Sequence, residues 1–146
     1  MYSGRSVLVT DLAGRLGRRD PQGLYVDNTR VLSRFEAAID GLAPKPISAS
    51  PVAGDGFLSY EEVVASDGIA SGSVYLETAH FVGEGMRTLL RVRNHGTALA
   101  RGRLSLAIPS QAVERFVAGG TRGTAAYLGI NGIVVATRRA DHPVGF

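Results

Sequence analysis

The densest group of chemically capable side chains in this 146-residue sequence lies in the stretch GLYVDNTRVLSRF, residues 23–35. Asp27, Asn28, Thr29, Arg30, Ser33 and Arg34 stand there among large apolar residues. Such a set could serve a catalytic loop or organise a bend. Asp27, Asn28 and Thr29 are all helix N-cap types, and Arg30 and Ser33 follow at the spacing of one helical turn. The expected local structure is a strand entering, a capped single turn, and a strand leaving. Its polar side chains would satisfy main-chain groups that a buried bend leaves unpaired. Arg30 is expected to pair with Asp27 or with a carbonyl.

The remaining candidates for chemistry are scattered. Glu61 and Glu62 are adjacent in a strand pattern, so they point to opposite faces and cannot form a facing carboxylate pair. They read as surface or interface charges. His80 falls in a strand, His95 in a turn and His142 near the end, with no metal-ligand spacing between any two. Each reads as structural or solvated. There is no G-x-S-x-G elbow, and GEG at 83–85 reads as a turn without the spacing of a phosphate loop. No metal site and no cofactor site is expected, and the chain alone is expected to have no catalytic activity.

One charged set has a regular pattern. If residues 86–108 form a hairpin, then Leu90, Val92, Leu104, Leu106 and Ile108 share the core face. Arg87, Arg91, Arg93, Arg101 and Arg103 then share the opposite face. Like charges across a strand pair repel. The two readings are a solvated face with its arginines fanned apart, and a face that docks an acidic partner surface such as another domain of a longer chain.

The elements that would carry these residues are short strands. Nineteen glycines, six prolines and few helical patterns favour an all-β architecture. SVLVT at 6–10 is a β-branched strand, and DLAG at 11–14 reads as a turn closing a short hairpin onto RLG. RRDP at 18–21 reads as exposed loop. Phe35, Ala37 and Ile39 alternate with Arg34, Glu36 and Asp40 as in a half-buried strand, ended by the hairpin signal Asp40-Gly41. The proline-bearing segment 42–56 is an irregular connection or an edge. Strands follow at 57–65, 73–82, 86–94 and 99–108, with turn signals such as Asp67-Gly68 between them. PSQAVERFVAG at 109–119 is ambiguous, because Ala112, Val113, Phe116 and Val117 have helical spacing. Asn131-Gly132 signals a last hairpin. About eight or more short strands in one domain over 1–146 predict an antiparallel β-sandwich.

Bulk properties exclude several classes. No cysteine is present, so there is neither a disulfide framework nor a thiolate metal site. Net charge is +3, and fifteen of the 16 cationic residues are arginines spread along the chain, so no nucleic-acid tail is indicated. No stretch approaches the roughly 18 apolar residues of a membrane helix, and no signal peptide is apparent. A cytoplasmic protein without a membrane partner is expected.

The stretch GLYVDNTRVLSRFEAAIDG, preceded by SVLVTDLAGRLG, resembles the N-terminal domain of bacterial glycogen-debranching-enzyme-like proteins, related to amylo-alpha-1,6-glucosidase. RVRNHGTALARGRLSL at 91–106 and YLGINGIVVATRR near the end extend the likeness over most of the chain. The resemblance implies a supersandwich-like module that precedes an (α/α) toroidal glycosidase domain, where the catalytic carboxylates reside. The implied partner is such a C-terminal catalytic domain, in a longer chain or on a partner chain, with alpha-glucan as the implied ligand class. Two positions depart from the family pattern. Asn28 stands where the family has Asp before Thr-Arg, with the acid moved to Asp27. The acidic, aromatic stretch that follows the RVRN hairpin in the family is reduced here to Glu114, Arg115 and Phe116. The alternative reading is an independent carbohydrate-binding module for alpha-glucans. It ranks second because the chain has no tryptophan and most tyrosines and phenylalanines sit in core-facing patterns or near turns.

Overall fold

A computed structural model describes residues 2–17, 19, 21–83, 85–108, 111–118 and 123–127, with main chain only at residue 2 and in the last two segments. Among these residues there are twelve strands and no helix: β1 (Tyr2–Ser3), β2 (Ser6–Val9), β3 (Gly23–Val26), β4 (Thr29–Leu32), β5 (Glu36–Ile39), β6 (Lys45–Val52), β7 (Gly56–Glu62), β8 (Val74–Val82), β9 (Met86–Asn94), β10 (Ala100–Ala107), β11 (Gln111–Ala118) and β12 (Gly123–Tyr127). No helix among the described residues is long and apolar enough to cross a membrane.

All pairings are antiparallel. The strands form a sheet β1-β2-β3-β4, a sheet β11-β10-β5 and a five-stranded sheet β12-β9-β8-β7-β6. One apolar cluster draws on all three: Leu8 and Leu24 from the first, Ile39 and Leu104 from the second, Leu76 and Val92 from the third. The two smaller sheets thus share a core with the large one, in a sandwich-like arrangement. Alternation predicts the inward set well, since Phe35, Ile39, Leu90, Val92, Leu104 and Leu106 are all buried.

The expected hairpin over 86–108 is not formed. β9 pairs with β8 and β12, whereas β10 pairs with β5 and β11 in another sheet. The loop after Asn94 carries the chain between sheets. The buried Asn94 accepts from Gly96 N–H at 2.9 Å and donates to the Ala98 carbonyl at 2.7 Å, which fixes that loop. The segment with helical spacing is strand β11, paired with β10 along its whole length. Eight consecutive partners outweigh a weak local periodicity.

Other local expectations have mixed outcomes. The DLAG turn exists: Gly14 N–H donates to the Asp11 carbonyl at 3.0 Å, and Asp11 Oδ1 accepts from the Ala13 and Arg15 amides. It does not close a hairpin onto RLG, because β2 pairs with β3 and Leu16 bridges to Phe35. Segment 42–56 contains β6, an edge strand whose Pro46, Pro51 and bulge suit an unpaired side. The Asn131-Gly132 hairpin, His142 and part of the 18–21 loop lie outside the described residues.

Candidate functional site

The 23–34 motif is a two-residue hairpin, not a capped helical turn. Asp27 and Asn28 link β3 to β4 with φ of 49° and 62°. Positive φ at both central residues is the requirement of a type I′ turn, and Asp and Asn tolerate it better than other non-glycine residues. Asn28 therefore suits this turn for its backbone. The Asp27 carboxylate ion-pairs with Arg5, across the tip of the neighbouring hairpin. Arg30 donates instead to the Gln22 carbonyl, which is the second of the two partners expected for it. Thr29 is exposed and pairs through its main chain with Val26, and Ser33 is exposed. Arg34 Nε donates to Glu36 Oε2 at 2.7 Å. The six residues do not converge on one point. They brace a sheet of paired hairpins.

The five arginines of the presumed common face are divided between two sheets. Arg101 and Arg103 lie on β10. Arg87, Arg91 and Arg93 lie on the outward face of the five-stranded sheet, opposite in parity to the buried Leu90, Val92 and Asn94. There Glu77 of β8 takes both neighbours, with Arg91 Nη1 at 3.4 Å from Oε2 and Arg93 Nε at 2.9 Å from Oε1. Arg87 lies over the Phe81 ring. Beside them Tyr60 stacks on Tyr75, His95 meets Tyr75 edge-on, and the Tyr60 hydroxyl is 3.2 Å from His95 Nε2. Burial and the Glu77 charge raise the Tyr60 pKa.

The least expected chemistry is inside. Along β8, Val74, Leu76, Thr78, His80 and Val82 share the inward parity, and the inner face changes character along the strand. Its apolar end packs in the core. Its other end presents Ser59, Glu61, Thr78 and His80, all buried, to a cavity of about 300 Å³. Ala37 and Ala38 of the edge strand β5 and Ala107 of β10 also line it. Arg15, Arg34 and Glu36, all partly exposed, mark its mouth.

Glu61 corrects the expectation of two surface charges. Glu62 does point the other way, but Glu61 is buried and held by Arg15, with Nε at 2.7 Å and Nη2 at 2.6 Å from Oε1. Arg15 Nη2 also donates to the Pro44 carbonyl. Burial pushes the Glu61 carboxyl up from its usual range, against the lowering effect of Arg15. His80 is structural, as expected of a lone histidine. Its Nδ1 is 2.8 Å from Thr88 Oγ1, it bonds to the Gly14 main chain, and its ring meets Phe35 edge-on. Burial lowers its pKa to about 4, so the ring is neutral. A neutral imidazole that donates to the Gly14 carbonyl accepts from the Thr88 hydroxyl. No cluster of three or more metal-ligating side chains occurs among the described residues.

Residue patterns direct attention to the hairpin and the arginines; they miss Arg15, Ser59, Thr78 and Ser105 of the cavity and read Glu61 as a surface or interface charge. The available signal was the pair of polar residues, Thr78 and His80, on an otherwise apolar strand face.

No curated protein and no solved structure matches the chain. A family described as the N-terminal domain of (some) glycogen debranching enzymes matches residues 1–140. The paired hairpins of the 23–34 motif, the Asn94 loop and the all-β layers are therefore features of one of its members: the chain belongs to the family of N-terminal domains of glycogen debranching enzymes.

Proposed function

We propose that this chain is a single, non-catalytic β-sandwich module of a cytoplasmic debranching-type glycoside hydrolase, which supports an (α/α) toroidal catalytic domain. Beside the family match, the observation that carries this reading is how four of its carboxylates are used. Asp27, Glu36, Glu61 and Glu77 are each ion-paired with arginine. Glycoside hydrolysis requires two carboxyl groups flanking one bond at roughly 5–9.5 Å, a use that differs from balancing an arginine. The outward face bearing Arg87, Arg91 and Arg93 is the docking surface for the catalytic domain in this reading, and Arg101 and Arg103 on the other sheet belong to a separate contact or to solvent. Arginine suits such a face because its planar fork engages carboxylates in pairs.

Two measurements test this. Incubated with a branched alpha-glucan, the 146-residue chain should release no glucose; release would overturn the scaffold reading. Arg91→Glu with Arg93→Glu should weaken association with the catalytic domain supplied as a separate chain, and undiminished association would remove this face from the interface.

A further inference from the structure

We infer that the free edge of β5 at Ala37 is a docking notch for one residue of an extended peptide segment, supplied in cis by the part of the debranching enzyme outside this module. The inference rests on the reading of the chain as a module of a larger enzyme, and it names a contact apart from the arginine face. β5 is the edge of its sheet and pairs as a strand only with β10. Its register fixes where its amides point. Asp40 N–H donates to the Arg103 carbonyl at 2.9 Å, so residues 36, 38 and 40 turn their main chain to β10. Phe35 N–H donates to the Leu16 carbonyl and Ile39 N–H to the Leu42 carbonyl, both at 2.9 Å and both on the far side. Ala37 stands between them, so alternation points its N–H and C=O to the far side as well. Among the described residues no main-chain partner meets them there.

Two segments come close to closing this gap, and each stops for a visible reason. The Leu16–Phe35 bridge, continued antiparallel, would set Gly14 opposite Ala37. Gly14 N–H is taken by the Asp11 carbonyl at 3.0 Å, and the Gly14 carbonyl accepts from His80. The Ile39–Leu42 bridge, continued, would set Pro44 opposite Ala37. Proline has no N–H, and the Pro44 carbonyl accepts from Arg15, which Glu61 holds in place. The far ladder of β5 is thus interrupted at one residue. The other long edge, β6, is guarded by Pro46, Pro51 and a bulge, whereas β5 carries neither proline nor bulge.

The cavity of about 300 Å³ opens along this gap, and both faces of β5 line it: Ala37 on the inner face, Glu36 and Ala38 on the outer. A compact ligand seated on a sheet meets one face. An added strand meets both, because its side chains alternate, and its main chain answers the free N–H and C=O. The residue opposite Ala37 directs its side chain inward, beside Ser59 and Thr78. The cations at the mouth are already matched, Arg15 by Glu61 and Arg34 by Glu36, so an uncharged residue fits there. Size decides the source of the peptide. A ladder of one residue covers a small part of the roughly 1,200 Å² or more that a stable interface between separate chains buries. A segment of the same chain needs no such area, because its tether supplies the effective concentration.

The test compares amide exchange at Ala37 in the 146-residue protein and in the full-length enzyme, by hydrogen–deuterium exchange mass spectrometry. The expected result is fast exchange in the module alone and exchange at least tenfold slower in the full enzyme. Equal rates overturn the inference. So does slow exchange in the module alone, and a dependence on protein concentration then marks a second copy as the occupant. Ala37→Pro removes the N–H that points off the sheet and leaves the β5–β10 ladder untouched, so the module alone should melt as the wild type does. In the full enzyme the same variant should speed exchange at least tenfold in one short segment outside residues 1–146; the absence of such a segment refutes the notch. Should the proline variant not fold, Ala38→Lys sets beside the notch a charge of the kind that guards natural edges, with the same expected and refuting results. The scaffold reading is tested separately, by glucose release and by Arg91→Glu with Arg93→Glu, so a failure here leaves it standing.

Discussion

His80 gives the protein a specific weakness to acid. The ring is buried at 2% exposure, and desolvation lowers its pKa from 6.5 to about 4, partly offset by the hydrogen bond to the Gly14 main chain. In the unfolded chain the same ring titrates near its ordinary value. Between pH 6.5 and about 4 the unfolded state therefore binds a proton that the folded state refuses. The sign follows from linkage: a depressed folded pKa contributes stability above the unfolded value, and that stability is lost as pH falls toward the folded value. A displacement of about 2.5 pH units, at about 1.36 kcal/mol each, amounts to roughly 3 kcal/mol. That is a large fraction of the 5–15 kcal/mol or so that holds a typical domain folded. The assay is urea unfolding at steps from pH 7 to 4 for the wild type and for His80→Gln. Glutamine keeps a donor and an acceptor but cannot titrate. Glu61, which lines the same cavity and whose carboxyl burial pushes up, is present in both proteins, so its contribution cancels in the difference. The wild type should lose roughly 3 kcal/mol more than the variant over that range, most of it below pH 6. Parallel pH profiles would refute the buried neutral histidine.

Two substitutions probe the turns that hold the layers. Gly68 accepts from Arg101 N–H at 2.9 Å, and a Cβ there would stand 2.2 Å from the Arg101 carbonyl oxygen; Gly68→Ala should cost about 1–3 kcal/mol in thermal or urea unfolding, while Gly83→Ala, with open space around it, should cost little. Asn94→Ala leaves the Gly96 N–H and the Ala98 carbonyl without their buried partner, so a loss of about 2–3 kcal/mol is expected by urea unfolding, with faster amide exchange at Gly96.

The strands were legible because period-2 alternation is a local property. Phe35, Ala37 and Ile39, or Leu104 and Leu106, announce their inward face by parity alone. The two-residue turns Asp40-Gly41 and Asp67-Gly68 were equally readable from residue type, and Asp40 and Gly41 do adopt φ of 51° and 77°. Pairing was not local. The loop after Asn94 looks like a hairpin turn, yet β9 and β10 enter different sheets, and each finds its partners far along the chain. The N-cap residues of the 23–34 motif misled in a related way. Asp and Asn favour helix starts and left-handed turns alike, for the same reason of short polar side chains that bond the nearby backbone. Only the ladder of β3 against β4 decides between them.

The same distinction explains why the cavity escaped notice. Parity assigns Glu61 and Glu62 to opposite faces, but it does not say which face meets solvent. That is decided by Leu76, the cross-strand partner of Glu61, and by the core that Leu76 shares with Val92. Once Leu76 is inward, Glu61 must be inward, and a buried carboxylate needs a cation. The sheet itself offers none on that face. Arg15 supplies it from the loop after β2, and that loop can approach only because Gly14, at φ of 79°, lets the chain turn against Phe57, where a Cβ would lie 2.5 Å from the ring. The cavity is thus assembled by three segments distant in sequence: a strand that turns an acid inward, a glycine turn that delivers an arginine, and an alanine-bearing strand that leaves room. No one of them is unusual alone, and each constrains the others, so a change at Gly14 should disturb Glu61 as surely as a change at Arg15.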